Sequence, residues 1–181
     1  MVEETKIGTE HLIYPIFLKD GKGLKEEVSS LPNNYRWSID MLIPEIEECM
    51  ELGIYTYDIF PAVDESLKDK VASYSYADDN FYLNAIRTLK DKFPEIVLMS
   101  DVAMDPYSSD GHDGLVQDGK ILNDETLPIL NKMALAQAQA GIDIIGPSDM
   151  MDGRVESIRE TLDINGYTDV SIMSYTAKYA S

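Results

Sequence analysis

Five short apolar runs alternate along the chain with segments of helical spacing, and this alternation restricts the fold more than any other feature. The runs span Leu12 to Leu18, Ile54 to Phe60, Ile96 to Met104, Ile142 to Ile145 and Val170 to Tyr175. Each is rich in β-forming residues and bounded by loop signals, which predicts strands. Between them, apolar side chains recur three and four positions apart over Asp40 to Leu52, Asn80 to Phe93, Thr126 to Ala140 and Arg154 to Ile164, which predicts helices. Pro44 is expected in the first turn of its helix, where a missing N–H breaks no bond. Gly53, Pro94, Gly141 and Gly166 stand just past the last apolar contacts as stop signals. Alternating strands and helices require right-handed crossovers in a parallel sheet, and nearly continuous apolar strands predict burial on both faces. Across Gly114 to Asn123, two short apolar stretches flank Asp118-Gly119, which predicts a small hairpin in the third strand-to-helix loop.

Five βα units fit either an open doubly wound sheet or part of a (β/α)8 TIM barrel. The segment Leu18 to Leu24 is neither a GxGxxG fingerprint nor a Walker A loop. Polar residues gather instead after every strand, where a barrel keeps its active site, so an α/β barrel is expected. A whole barrel takes about 250 residues. The 181 residues here supply only about the first five of the eight units.

Charge narrows the partners. Fifteen Lys and Arg against 33 Asp and Glu leave a net charge of −18, a field that repels phosphate backbones and anionic lipid. Neither a nucleic acid nor a membrane is expected as partner, and no apolar run approaches the roughly 20 residues that span a bilayer. Cys49 is the single cysteine, so there is no disulfide framework and no Cys-rich zinc site, and a cytoplasmic location is expected.

Three loops carry residues suited to chemistry. The first, from Ser100 to Gly114, holds Asp101, Asp105, Asp110, Asp113 and His112, an oxygen-rich set able to hold a hard cation such as Mg2+ or simply to be solvated. In the second, Gly146 to Arg154, Asp149 or Asp152 is expected to cap the next helix, and Met150 and Met151 to pack. The third follows the fifth strand and contains Lys178. A lysine at the end of a buried strand, desolvated and partly neutral, is able to attack a ketone and form a Schiff base, whereas one at the exposed rim stays protonated.

Several segments together resemble the porphobilinogen synthase (5-aminolevulinate dehydratase) family. They are Ile16-Phe17-Leu18 with Gly21, Ser30-Leu31-Pro32, Tyr35-Arg36-Trp37-Ser38, Lys68-Asp69, Asp101 to Tyr107, Gly111 to Gly114, Asn123 to Thr126, Pro147 to Arg154 and Met173 to Ser181. Order and spacing agree from about residue 12 onward, which divides the chain into a short N-terminal arm, 1–11, and a partial barrel domain, 12–181.

The resemblance implies condensation of two 5-aminolevulinate molecules to porphobilinogen for tetrapyrrole (heme) synthesis, in homo-oligomers built from dimers. Carried over by position, Lys178 resembles the first of two Schiff-base lysines, Asp101 and Ser148 line the catalytic pocket, and Tyr175 and Asp149 contact substrate. Zinc-dependent members carry three cysteines where this chain has Ala103, Asp105 and Asp113, so it resembles the aspartate-type, zinc-free branch. No zinc is expected, and at most weak Mg2+ at Asp105 and Asp113. Asp110 stands where the family usually has histidine.

The family's second lysine, its lid arginines and its allosteric magnesium site lie beyond Ser181. The expectation is therefore an incomplete site, with a separate chain supplying the C-terminal half. The alternatives are a non-catalytic oligomeric structural or regulatory remnant of the enzyme, or an unrelated barrel enzyme binding Mg2+ through Asp101, Asp105 and Asp113.

Overall fold

The computed structural model describes residue 2 and residues 4–177. Strand β1 (Ile13–Lys19) leads to two short strands, β2 (Lys25–Glu27) and β3 (Tyr35–Trp37), and then to helix α1 (Ile39–Glu51). β4 (Thr56–Ala62), α2 (Phe81–Lys92) and β5 (Val97–Val102) follow. The hairpin β6 (Leu115–Gln117) and β7 (Lys120–Leu122) precedes α3 (Asn123–Ala140), β8 (Ile144–Pro147), α4 (Arg154–Ile164) and β9 (Ser171–Ile172). The sheet order is β2-β3-β1-β4-β5-β8-β9, every neighbour pair parallel except β2 with β3. All five apolar runs thus become neighbouring parallel strands in chain order, as βαβ crossovers require.

The pattern along each strand separates two faces. Ile16, Leu18, Tyr57, Ile59, Leu98 and Ile145 are fully buried in the core that includes Leu42 and Ile46 of α1, Ile86 and Leu89 of α2, Leu130 and Met133 of α3 and Ile158 of α4. The alternate residues Ile13, Pro15, Asp58, Met99, Met173 and Tyr175 line a cavity of about 340 Å3 on the other face. Burial on both faces was the expectation from apolar continuity. It holds along the central strands β4 and β5, where Asp58 and Met99 of the second face are also buried, and fails only toward the ends of that face, where Ile13, Met173 and Tyr175 keep 38–44% exposure.

Other differences have local causes. β2 and β3 were not expected; three residues each are too short to show a period, although Tyr35 and Trp37 are good strand formers. Pro44 falls in the second turn of α1, because the helix begins at Ile39. It leaves the carbonyl of exposed Asp40 without its helical N–H, where water can replace the bond. The hairpin forms as expected: Asp118 (φ 52°) and Gly119 (φ 74°) are both left-handed, the requirement of a type I′ turn. The fifth strand is shorter than expected, yet its ladder continues through Met173 N–H to Ile145 C=O (2.9 Å) and Tyr175 N–H to Pro147 C=O (3.3 Å). Among the described residues no helix is long and apolar enough to cross a membrane.

Candidate active site

Tyr82 of α2 sets the geometry at the C-terminal ends of β4 and β5. The register between these strands runs from Thr56↔Val97 to Ile59↔Ser100. At its end the buried Tyr82 hydroxyl donates to Ile59 C=O (2.8 Å) and accepts from Asp101 N–H (3.3 Å). On the α3 side, Ser100 Oγ donates to Gln137 Oε1 (2.7 Å), and Gln137 Nε2 donates to Asp101 C=O (2.9 Å). Both backbone polar groups of Asp101 are therefore satisfied by buried side chains, which fixes where its carboxyl points.

That carboxyl is on the open face. Ser148, just past β8, donates to Asp101 Oδ1 at 2.5 Å. Asp101 is only 6% exposed. Burial pushes it up to about 7, the Ser148 bond opposes this, and the charges of Asp105, Asp58 and Asp113 push it further up. A carboxyl poised near neutrality is able to donate or accept a proton there.

A cavity of about 370 Å3 opens beside it, lined by Phe60, Asp101, Asp105, Ser148, Tyr175 and Ala177. Four of the residues expected from sequence, Asp101, Ser148, Asp105 and Tyr175, thus share one wall. Ala177 immediately precedes Lys178, which lies outside the described residues. Tyr175 closes the lower side by donating its hydroxyl to Asp58 Oδ2 (2.6 Å). Burial raises Asp58 above the usual carboxylate range while this bond lowers it; burial and Asp58 together raise Tyr175.

Asp149 and Asp113 stand apart from that wall. The Asp149 side chain is fully buried, 3.2 Å from Arg154 Nε, and accepts Met151 N–H at 2.9 Å. Burial outweighs both partners and pushes Asp149 up to about 6. Neither Asp149 nor Asp152 caps α4: the N-cap is Gly153 in the left-handed region, with no side-chain bond. Asp149 instead bends the preceding loop. Met151 packs as expected, but Met150 is exposed. Asp113 is buried in the loop above Asp101, whereas Asp105 is exposed. Among the described residues no group of three or more His, Cys, Asp and Glu is arranged to hold a metal ion. The Mg2+ site of Asp101, Asp105 and Asp113 is thus not assembled there.

Sequence reading missed Asp58, Tyr82 and Arg154. For Asp58 a signal existed, a lone carboxylate inside an apolar strand. The partners of Tyr82, Ile59 and Asp101, are distant in sequence and left no local mark, and Arg154 joins nearby Asp149 and Met151 to Ser174 and Tyr175 some twenty residues on, a link that no local pattern shows.

The sequence model of the family described as delta-aminolevulinic acid dehydratase matches residues 1–181. A delta-aminolevulinic acid dehydratase of Bradyrhizobium diazoefficiens is 50% identical over 181 residues, covering all of this chain and 51% of that protein. One of Chlamydia pneumoniae is 45% identical over 181 residues, covering all of this chain and 54% of that protein. The crystal structure of delta-aminolevulinic acid dehydratase (porphobilinogen synthase) from Toxoplasma gondii ME49, in complex with the reaction product porphobilinogen, superimposes with a TM-score of 0.96 at 46% identity. That match covers 99% of this chain and 51% of the solved one. The chain thus spans about half the length of the relatives it matches.

Proposed function

The chain belongs to the delta-aminolevulinic acid dehydratase family, and from that membership we propose that it carries part of a porphobilinogen synthase active site, in which two 5-aminolevulinate molecules condense to porphobilinogen in heme biosynthesis. The observation that carries this reading is the cavity bounded by Asp101, Ser148 and Tyr175, with Ala177 bringing the chain to its wall one residue before Lys178.

In this reading the neutral amine of Lys178 attacks the ketone carbon of 5-aminolevulinate. As the N–C bond forms, the nitrogen gives up one proton and the carbonyl oxygen takes one, giving a carbinolamine. Its hydroxyl takes a further proton and leaves as water as the nitrogen lone pair forms the C=N bond, which leaves a protonated imine. Asp101 supplies that proton, since a carboxyl held near 7 is still partly protonated at neutral pH. Ser148 orients it. Tyr175, held by Asp58, shapes the substrate's side of the cleft. The buried Asp149 acts on substrate only through the loop that it bends.

The zinc-free branch fits the residues present. Ala103 offers no donor, Asp105 and Asp113 offer hard oxygens, and Cys49 lies on the buried face of α1. Any Mg2+ at Asp105 and Asp113 would be held by no more than these two carboxylates among the described residues. The open sheet face and the edge strands β2 and β9 favour a dimer or higher homo-oligomer, or a separate chain bringing the C-terminal half and the second lysine. Sedimentation as a stable monomer near 20.3 kDa contradicts both forms of association.

Incubation with 5-aminolevulinate and borohydride tests the chemistry. The expected result is one reduced adduct per chain, lost in Lys178→Ala. Porphobilinogen formation by this chain alone is expected to stay at background, because one amine cannot hold two substrates. No adduct at all overturns the reading in favour of a non-catalytic remnant.

A further inference from the structure

We propose that Arg154 is a positioning residue for Lys178, its guanidinium fixing the chain three residues before the reactive amine. The inference rests on the Schiff-base reading above and adds to it the group that fixes Ser174 and Tyr175, the chain leading to the lysine.

The strand needs such a group. β9 has only two residues, Ser171 and Ile172, and pairs on one side with β8. Beyond it the ladder is carried by single backbone bonds from Met173 and Tyr175, the second at 3.3 Å. So short a ladder would fray at its end.

Arg154 crosses to this end from the first turn of α4. Its Nη2 donates to Tyr175 C=O (3.0 Å) and Ser174 Oγ (3.2 Å), and its Nη1 donates to Met151 C=O (3.1 Å). Nε faces the buried Asp149 carboxylate at 3.2 Å. The guanidinium is thus held at its root by the loop after β8, the loop that also carries Ser148, and grips the segment after β9 with its tip. A planar fork with several fixed donors makes that connection; a lysine ammonium cannot span both sides of it. Tyr175 is consequently held by two groups, Arg154 at its carbonyl and Asp58 at its hydroxyl.

The consequence is chemical as well as structural. Attack on a ketone requires the amine at near-attack distance from a carbon that Asp101 and Ser148 also address, and a misplacement of about 1 Å can cost about 100-fold. Arg154 ties the loop bearing Ser148 to Ser174 and Tyr175, so the two described sides of the cleft keep one spacing.

The experiment measures borohydride trapping with 5-aminolevulinate against pH, alongside thermal midpoints, for the protein and for Arg154→Lys and Ser174→Ala. Arg154→Lys keeps the charge beside Asp149 but loses the fork. Its trapping rate is expected to fall at least about tenfold at every pH, with the pH midpoint unmoved and the fold retained. Ser174→Ala deletes a single acceptor and is expected to show an intermediate loss; it decides the matter if Arg154→Lys does not fold. Trapping at the unsubstituted rate in the folded variants overturns the proposal alone. A rate loss explained by a moved pH midpoint also overturns it, since Arg154 would then act through charge. If the unsubstituted protein gives no adduct, the Schiff-base reading fails first and the positioning role falls with it.

Discussion

The Tyr175 hydroxyl donates a 2.6 Å hydrogen bond to Asp58 Oδ2, tying the segment after β9 to β4 across 117 positions of chain. The other Asp58 oxygen, Oδ1, is buried and has no hydrogen-bond partner among the described residues. Among the described residues one residue alone satisfies this carboxyl, at one oxygen, and that residue also lines the cavity beside Asp101.

Tyr175→Phe leaves a buried carboxyl without a donor, at an expected cost of about 1–3 kcal/mol. The bond lowers Asp58 while burial raises it, so its loss lets Asp58 rise further. The substitution therefore hurts most where Asp58 must ionise. Urea melts should show the larger gap at pH 8 and a smaller one at pH 4. An equal gap at both would mean that Asp58 does not titrate through this bond.

Asp101→Asn is expected to stabilise the protein at alkaline pH. Asp101 stands near 7 when folded, against about 3.9 for an unperturbed Asp. Its folded value is raised, so between about pH 4 and pH 7 the unfolded chain releases this proton more readily and stability falls as pH rises. The full interval corresponds to about 4 kcal/mol as an upper bound. Thermal midpoints of Asp101→Asn and the unsubstituted protein should therefore converge near pH 4 and separate, with Asn higher, by pH 8. Trapping of 5-aminolevulinate should meanwhile fall by about 100-fold or more, as expected on loss of a general acid.

Much of this arrangement was legible in the sequence because its determinants are local. Thr56–Ala62 overlaps the apolar run from Ile54 to Phe60, and Asp118-Gly119 specified a hairpin because two left-handed residues in succession fit little else. The cluster of Asp101, Ser148 and Tyr175 followed from a resemblance carried by contiguous motifs. What escaped depends on which partner the fold sets beside a side chain, whether near or far in sequence. An Asp ahead of a helix is the same local signal whether it caps the helix or, like Asp149, pairs with an arginine on its first turn. Tyr82 fits the spacing of a core residue, and its hydroxyl gains its role only where β4 and β5 part.

The Asp149–Arg154 pair separates two contributions usually taken together. Burial raises Asp149 to about 6 even with Arg154 beside it, so ionisation there is a net cost at neutral pH. Asp149→Asn keeps an acceptor for Met151 N–H and is expected to change stability by no more than about 1 kcal/mol at pH 7. Asp149→Leu removes the acceptor and is expected to cost about 1–3 kcal/mol. Chemical denaturation of both variants decides it: a loss of about 3–5 kcal/mol in the Asn variant, as for a broken buried pair, would show attraction outweighing desolvation.

Ser148→Ala tests the proton step directly. The Ser148 hydroxyl stabilises the ionised form of Asp101 and so holds its value down against burial and the charges of Asp105, Asp58 and Asp113. Removing the donor destabilises the carboxylate, so Asp101 moves above about 7 and stays protonated to higher pH. If Asp101 donates the proton that lets water leave the carbinolamine, trapping declines on the alkaline side as Asp101 ionises, and in Ser148→Ala that decline moves to higher pH. A hydrogen bond to a charged group contributes about 1.5–3 kcal/mol, which corresponds to a displacement of about one to two pH units. The direction discriminates between roles. A shift of the acid-side limb instead would make the ionised carboxylate the working form and Asp101 a base, and an unmoved profile would remove Asp101 from the proton step.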